Sequence, residues 1–204
     1  MDFNARAAEW DNGARKSRAK VIADAVWDAV RDVAPRSALD FGCGTGLVAM
    51  LLVDRFDRMV LVDSSEGMIA QVSAKLAQAN VRNVAAVHAD LTAGNRIPGA
   101  PFDAIYASMS LHHIRDVDGA LAALAALLRE GGALCAIELT EVDADFHASE
   151  PDFDGHNGFD RREFRARMAR AGLRVMSDRI IFRGIKAGGE TLSRYALFEM
   201  TGIK

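Results

Sequence analysis

The stretch Asp40-Phe41-Gly42-Cys43-Gly44-Thr45-Gly46 carries the most specific chemistry in the 204-residue chain. Three glycines alternate after a short apolar run and before another. Glycine accepts positive φ and lets a ligand approach the backbone closely. At the carboxyl end of a sheet strand, such a turn is where open α/β folds bind nucleotides; the same pattern also serves as a plain tight turn. Asp63 closes the next apolar run, Met59-Val60-Leu61-Val62. An acid there can accept hydrogen bonds from ribose hydroxyls, and a helix cap or a solvated strand end are its other readings. The spacing is G-x-G-x-G, not the G-x-G-x-x-G of a dinucleotide turn. Asp40 stands directly before it, where a carboxylate suits an ammonium or sulfonium better than a diphosphate.

The other candidates are histidines. His112 and His113 follow a fourth apolar run, where an acceptor would dock, and either can act as a base or only shape a pocket. His147 and His156 lie in an acidic segment, residues 141–160, with Glu141, Asp143, Asp145, Glu150, Asp152 and Asp154. Its spacing matches neither a calcium loop nor a zinc motif, so no metal is expected. A solvated lid over the acceptor is expected instead, with His156 near its end. Trp10 reads either as part of an N-terminal lid over a cofactor or as an anchor for the first long helix. Arg161, Arg162, Arg165, Arg167 and Arg170 read as a solvated basic face without the interleaved aromatics of single-strand binding. Cys43 and Cys135 sit in apolar surroundings and read as inert.

The elements that must position these residues follow from periodicity. Residues 15–33 carry a helical stripe ended by Pro35, with a short helix or arm at 3–10 before it. Residues 37–41, 58–63, 84–88, 102–107 and 133–139 read as buried strands. Helices are expected at 47–53, 65–78, 117–128 and 161–171, with Gly131 and Gly132 stopping the third of these. Residues 173–182 and 195–202 read as a hairpin around a turn at 184–189. Alternating strands and helices argue for a doubly wound α/β sheet with helices on both faces. One domain is expected over 1–204, with a helical cap at 1–34 and a lid at 141–160.

Composition excludes several classes. Half the residues are apolar, 26% are charged and the net charge is −3. This is a globular composition, with no global pull toward nucleic acid or anionic lipid. No apolar run is long enough to span a bilayer, and the beginning does not read as a secretory signal. Two cysteines without a disulfide pattern suit a reducing compartment, so a cytoplasmic location is expected. Neither a nucleic-acid partner nor a membrane is.

The chain resembles the class I S-adenosylmethionine-dependent methyltransferases of small bacterial type. The resemblance rests on Leu39 to Gly46, on Val60-Leu61-Val62-Asp63-Ser64-Ser65-Glu66-Gly67-Met68 and on Ala89-Asp90-Leu91. Phe102 to Ser108 with Leu111-His112-His113, and Leu128 to Gly132, complete five blocks in family order across about residues 37–139. It implies S-adenosylmethionine as cofactor. Gly42, Gly44 and Gly46 would lie under the methionine part, and Asp40 would receive its amino group directly or through water. Asp63 would bind the ribose, with Ser64 and Met68 bordering the adenine. Asp90 would accept the adenine amino group, with Leu91 near the ring and Ala107 and Ser108 lining the pocket. The resemblance also implies a Rossmann-like seven-stranded, mostly parallel sheet of order 3-2-1-4-5-7-6 with an antiparallel last strand. The family's amino-methylating nucleic-acid enzymes carry an Asn/Asp-Pro-Pro-aromatic motif where this chain has Ala107-Ser108-Met109-Ser110.

Methyl transfer to a small-molecule acceptor by in-line displacement is therefore the leading expectation. A nicotinamide-dependent oxidoreductase and a non-catalytic ligand-binding protein of the same fold are the alternatives. The acceptor, any general base and the oligomeric state cannot be read from the sequence.

Overall fold

A computed structural model describes residues 2–91, 93–141, 146–147, 150, 153–188 and 191–204. Strands β1 (Ser37–Phe41), β2 (Arg58–Asp63), β3 (Val84–His88), β4 (Phe102–Ser108), β5 (Leu128–Leu139), β6 (Arg174–Gly188) and β7 (Thr191–Ile203) form one seven-stranded sheet. Its order is β3-β2-β1-β4-β5-β7-β6, as the resemblance implies. β7 runs antiparallel to both β5 and β6; the pairings among β1 to β5 are parallel. The order in which successive strands are added reverses between β1 and β4, the switch point where open α/β sheets place ligands.

Helices α1 (Phe3–Arg6), α2 (Gly13–Val30), α3 (Glu66–Gln78), α4 (Val117–Ala126) and α5 (Arg161–Arg170) cover the sheet. The four longer ones begin at side-chain caps: Asn12, Ser65, Asp116 and Asp160 each accept a backbone N–H three residues on. Alternation in the strands divides the core. Ala38, Met59, Leu61, Tyr106 and Cys135 meet α2 and α3 on one face. Leu39, Val60, Ile105, Leu134 and Phe198 meet α4 and α5 on the other.

Three local expectations are corrected. Residues 47–53 do not form an α-helix; two 3₁₀ turns, Ala49–Leu51 and Val53–Arg55, stand there. Ala49 and Leu52 are buried while Leu51 is exposed, a three-residue spacing that suits the tighter helix. Gly131 and Gly132 do not cap α4, which ends at Ala126. They lie inside β5, where Gly131 takes φ +74° and the register with β4 shifts. Gly184 is not a turn residue: β6 pairs it with Tyr195 and continues to Gly188. Residue 189 of the expected turn lies outside the described residues.

The basic helix α5 is solvated at Arg162, Arg165 and Arg170, and four of its arginines are also paired. Arg161 and Arg165 pair with Asp178, and Arg167 and Arg170 with Asp118. The acidic partners sit on β6 and α4, so the arginines help tie three elements together.

Asp103 fastens the amino ends of the central strands. It accepts from the N–H groups of Arg36 and Ser37, from the Ser37 hydroxyl and from Arg129. Although burial opposes ionisation, these donors prevail and pull its carboxyl down to about 2. A depressed carboxylate stabilises the fold above its unfolded pKa and loses that contribution as pH falls toward about 2. Asp103→Asn is expected to cost about 2 kcal/mol at pH 7 and to flatten the acid limb of a urea-denaturation series below pH 4. An unchanged acid limb would contradict this anchoring.

Candidate active site

The glycine turn leaves β1 in a shape that only glycine holds without strain. Gly42 and Gly46 have φ of +70° and +77°, and a Cβ would lie 2.3 Å from Ser110 Cβ or 2.4 Å from Val72 Cγ2. Gly44 differs. Its φ is +54°, and a Cβ there would meet nothing nearer than Trp10 Nε1 at 3.9 Å. Gly42 and Gly46 are thus close-packing positions, and Gly44 presents backbone to open space.

Asp63, at the end of β2, fixes that backbone. One carboxylate oxygen accepts the Gly44 N–H at 2.8 Å and the other accepts the Ser65 N–H at 2.8 Å. Burial pushes its pKa up, while these two N–H groups oppose the rise. A carboxylate offers about four lone-pair sites, so acceptor capacity remains for a diol. Ser65, not Asp63, caps α3.

Asp40 lies behind the turn, at 1% exposure. Burial pushes its carboxyl up to about 8; the nearby Tyr106 hydroxyl opposes the rise and Asp63 adds to it. Among the described residues, neither Asp40 Oδ1 nor the Tyr106 hydroxyl reaches a hydrogen bond of normal geometry. A buried carboxyl left this unsatisfied is unusual and marks a strained or functional position.

A cavity of about 620 Å³ opens over the turn, a size typical of small-molecule sites. Of the residues singled out from the sequence, Gly42, Gly44, Asp63, Ser64, Met68, Asp90, Leu91, Ser108 and His113 line it, and so does Trp10. Asp40, Gly46, Ala107, His112 and His156 are not on its wall.

Each histidine has a distinct place. His112 is buried and its Nδ1 lies 2.6 Å from Glu138 Oε2. The other oxygen of Glu138 accepts the N–H groups of Ser110 and Leu111 at 2.9 and 2.7 Å. Glu138 thereby pins the loop after β4 against the cavity. It escaped the sequence reading, although a lone acid within Cys135-Ala136-Ile137-Glu138-Leu139 was a visible anomaly. His113 faces the cavity edge-on to Phe3, with ring centroids 5.0 Å apart. Burial, then repulsion from neighbouring His112 and His147, drops its pKa to about 2, so its ring is neutral at physiological pH. His156 donates its backbone N–H to the His112 carbonyl, and its Nε2 lies 3.3 Å from the Arg115 carbonyl.

The segment 141–160, expected as a solvated lid, is solvated at Glu141, Asp154 and Asn157 but not throughout its described part. Phe146, His147 and Phe159 are buried. His147 stacks on Phe153 at 3.7 Å, while Asp154 reaches the cavity wall and pairs with Arg115. These aromatics fill space between β5, β7 and the histidine pair. Asp143, Asp145 and Asp152 lie outside the described residues. Among the described residues no group of His, Cys, Asp or Glu is arranged to hold a metal ion. Cys43 is raised well above the ordinary thiol range by burial.

The N-terminal segment straps the site. Asn4 Oδ1 accepts from the Ser65 hydroxyl at 2.8 Å and the Gly67 N–H at 2.9 Å. Asp11 accepts from Thr45 Oγ1 and pairs with Lys75, each at 2.5 Å. Arg15 stacks over Trp10, 4.0 Å from its ring centroid.

Residues 38–132 match the family model of the methyltransferase domain. The matched stretch is similar to methyltransferase domains and makes up just under half of the chain. An uncharacterized methyltransferase of Mycobacterium tuberculosis is 34% identical over 119 residues, 58% of this chain and 58% of that protein. A trans-aconitate 2-methyltransferase of Acidovorax is 35% identical over 103 residues, 50% of this chain and 37% of that enzyme. The chain thus spans less than two thirds of these curated relatives. The methyltransferase fold extends further: a crystal structure of a putative methyltransferase from Bacillus halodurans superposes with TM-score 0.72 at 15% identity, covering 91% of this chain and 97% of that one.

Two outcomes follow for this site. Because Asp40 keeps its proton in the fold up to about pH 8 instead of 3.8, stability of the ligand-free chain should fall as pH rises through that window, with a limiting slope of about 1.4 kcal/mol per pH unit. Asp40→Asn should remove that slope and raise the urea midpoint at pH 8; superimposable pH profiles would contradict the burial of an unsatisfied acid. Glu138→Ala should cost at least about 3 kcal/mol, because it strands buried N–H groups and the His112 ring. A loss below 1 kcal/mol in the same titration would show that the loop after β4 is pinned by something else.

Proposed function

We propose that this protein transfers a methyl group from S-adenosylmethionine to a small-molecule acceptor. The observation that carries the proposal is the open backbone of Gly44, held by Asp63 at the floor of the cavity. The residues fit a cationic nucleoside. Gly44 leaves room where a side chain would intrude, and Asp63 keeps acceptor sites for a ribose diol. Asp40 supplies a carboxyl whose ionisation a nearby cation would favour. Ser64 and Met68 would border the adenine, Asp90 and Leu91 its far edge, and Ser108 the reacting end.

When bound, the sulfonium supplies an activated methyl carbon and a neutral thioether leaving group. The chain's part is then alignment and exclusion of water, not acid catalysis. Phe3, Trp10 and the strap through Asn4 and Asp11 would exclude water over the glycine turn. Glu138 would hold Ser110 and His112 so that the wall beside Ser108 keeps its shape. His113, neutral with so low a pKa, would line the pocket without taking a proton.

A small acceptor fits a cavity of this volume that must also hold the cofactor. The relative named for trans-aconitate supports the same size class. Residues 1–34 would act as a helical cap and 141–160 as an acceptor-side lid loop of a single domain. Among the described residues, no helix is long and apolar enough to cross a membrane, which is compatible with the proposed cytoplasmic location. The G-x-G-x-G spacing and Asp40 disfavour a nicotinamide cofactor, and radiolabel transfer to an acceptor would exclude a purely ligand-binding role.

Calorimetry tests the proposal. S-adenosylhomocysteine should bind the full chain and NADH should not. Asp63→Ala should weaken S-adenosylhomocysteine by at least about 10-fold, the scale of a charge-assisted hydrogen bond. Tighter binding of NADH, or no effect of the substitution, would overturn the assignment.

A further inference from the structure

Positive charge accumulates around the part of the cavity formed by α2. Arg15 and Arg18 both line the wall. Arg6 and Lys186 stand beside them and share one carboxylate, Glu150, at 3.7 and 3.3 Å, while His147 contacts its other oxygen at 3.0 Å. Asp11 is committed to Lys75 and Thr45. Arg15 and Arg18 hydrogen-bond only neutral acceptors among the described residues: the Trp10 carbonyl at 3.0 Å and the Tyr195 hydroxyl at 3.2 Å. Each guanidinium carries five N–H donors, so most of this donor capacity is unspent. Burial and repulsion from Arg18 and Arg6 lower the Arg15 pKa, outweighing Glu150 and Asp11. A site with this surplus is built to receive an anion.

The two arginines are placed differently. Arg15 lies on Trp10, whose indole nitrogen stands 3.9 Å from where a Gly44 Cβ would be. It therefore belongs to the glycine turn and would meet the carboxylate of the cofactor's methionine part. Arg18 is held toward β7 by Tyr195, leaving it for the acceptor. Proton chemistry narrows the acceptor further. Asp154 is paired with Arg115, Asp116 caps α4, and Cys43 and His113 are both shifted away from useful basicity. A nucleophile that arrives without a proton needs none of them. A phosphate anchor would leave a hydroxyl or amine to be deprotonated; a second carboxylate would not.

We propose that the acceptor is a small organic acid with at least two carboxylates, one held by the Arg18 guanidinium and another serving as the nucleophile. This rests on the methyltransferase reading above. An oxygen lone pair of the free carboxylate forms the new O–CH₃ bond while the C–S bond breaks and its electron pair passes to sulfur. Carboxylate and sulfonium charges cancel, a methyl ester results, and no proton moves. Two carboxylates are required because an oxygen engaged by a guanidinium is a weakened nucleophile.

The test uses the full chain saturated with S-adenosylhomocysteine and titrated calorimetrically with succinate, glutarate, citrate and trans-aconitate, and with glycerol 3-phosphate and choline. At least one polycarboxylate should bind, and more weakly as salt rises, as an ion pair in a partly open site requires. Arg18→Gln should weaken that acid by roughly 10-fold or more and leave S-adenosylhomocysteine within about 2-fold. Arg18→Lys, which keeps the charge but not the fork, should fall between and serves if the glutamine variant does not fold. With S-adenosylmethionine, mass spectrometry should find the bound acid as a base-labile monomethyl ester. Binding of S-adenosylhomocysteine without any of the acids, a preference for glycerol 3-phosphate or choline, or equal loss of both ligands in the Arg18 variants would overturn the inference. Failure of S-adenosylhomocysteine itself to bind wild type would instead overturn the methyltransferase reading.

Discussion

One carboxylate sets the geometry on which the site depends. Asp63 ends β2 and holds the Gly44 N–H with one oxygen and the Ser65 N–H with the other. It therefore ties the glycine turn after β1 to the start of α3 while half its acceptor capacity stays open. The turn can keep positive φ at three positions only because its residues lack Cβ, and it can present Gly44 outward because Gly42 and Gly46 are wedged against Ser110 and Val72. Without the Asp63 bridge these glycines would carry a large conformational freedom. With it they are a rigid floor.

Two further devices complete the walls. Glu138 turns a buried acid into a bracket for the loop after β4, satisfied by N–H groups and the His112 ring. The N-terminal strap reaches across from the opposite side through Asn4 and Asp11, bringing Trp10 and Arg15 over the turn. Both devices are polar, and both join segments far apart in the chain. That placement concentrates order at the ligand end of the sheet, whereas the amino end is fastened by Asp103.

What was legible in the sequence follows from how local the signal is. Strand β3 and the start of β1 stand where apolar runs bounded by glycine and charge place them, and the strand order matches the resemblance. The glycine-turn wall of the cavity was legible because the glycine spacing and Asp63 mark the ends of successive strands. Glu138 and the strap were not, because their partners lie far along the chain and only folding brings them together. The 3₁₀ turns at 49–55 were missed because apolar spacing in so short a run fits either helix type. The bulge at Gly131 was missed because a glycine after a helix reads equally well as its cap. The ion pairs of α5 were not legible because Asp118 and Asp178 belong to other elements.

The proposed function requires the Asp63-braced turn to be the floor of a nucleoside site. A crystal structure of the chain with S-adenosylhomocysteine tests this most directly. Ribose density is expected against the Asp63 carboxylate, and the amino-acid portion over Gly44, beneath Trp10. Density for the thioether product elsewhere on the sheet, with Asp63 untouched, would contradict it.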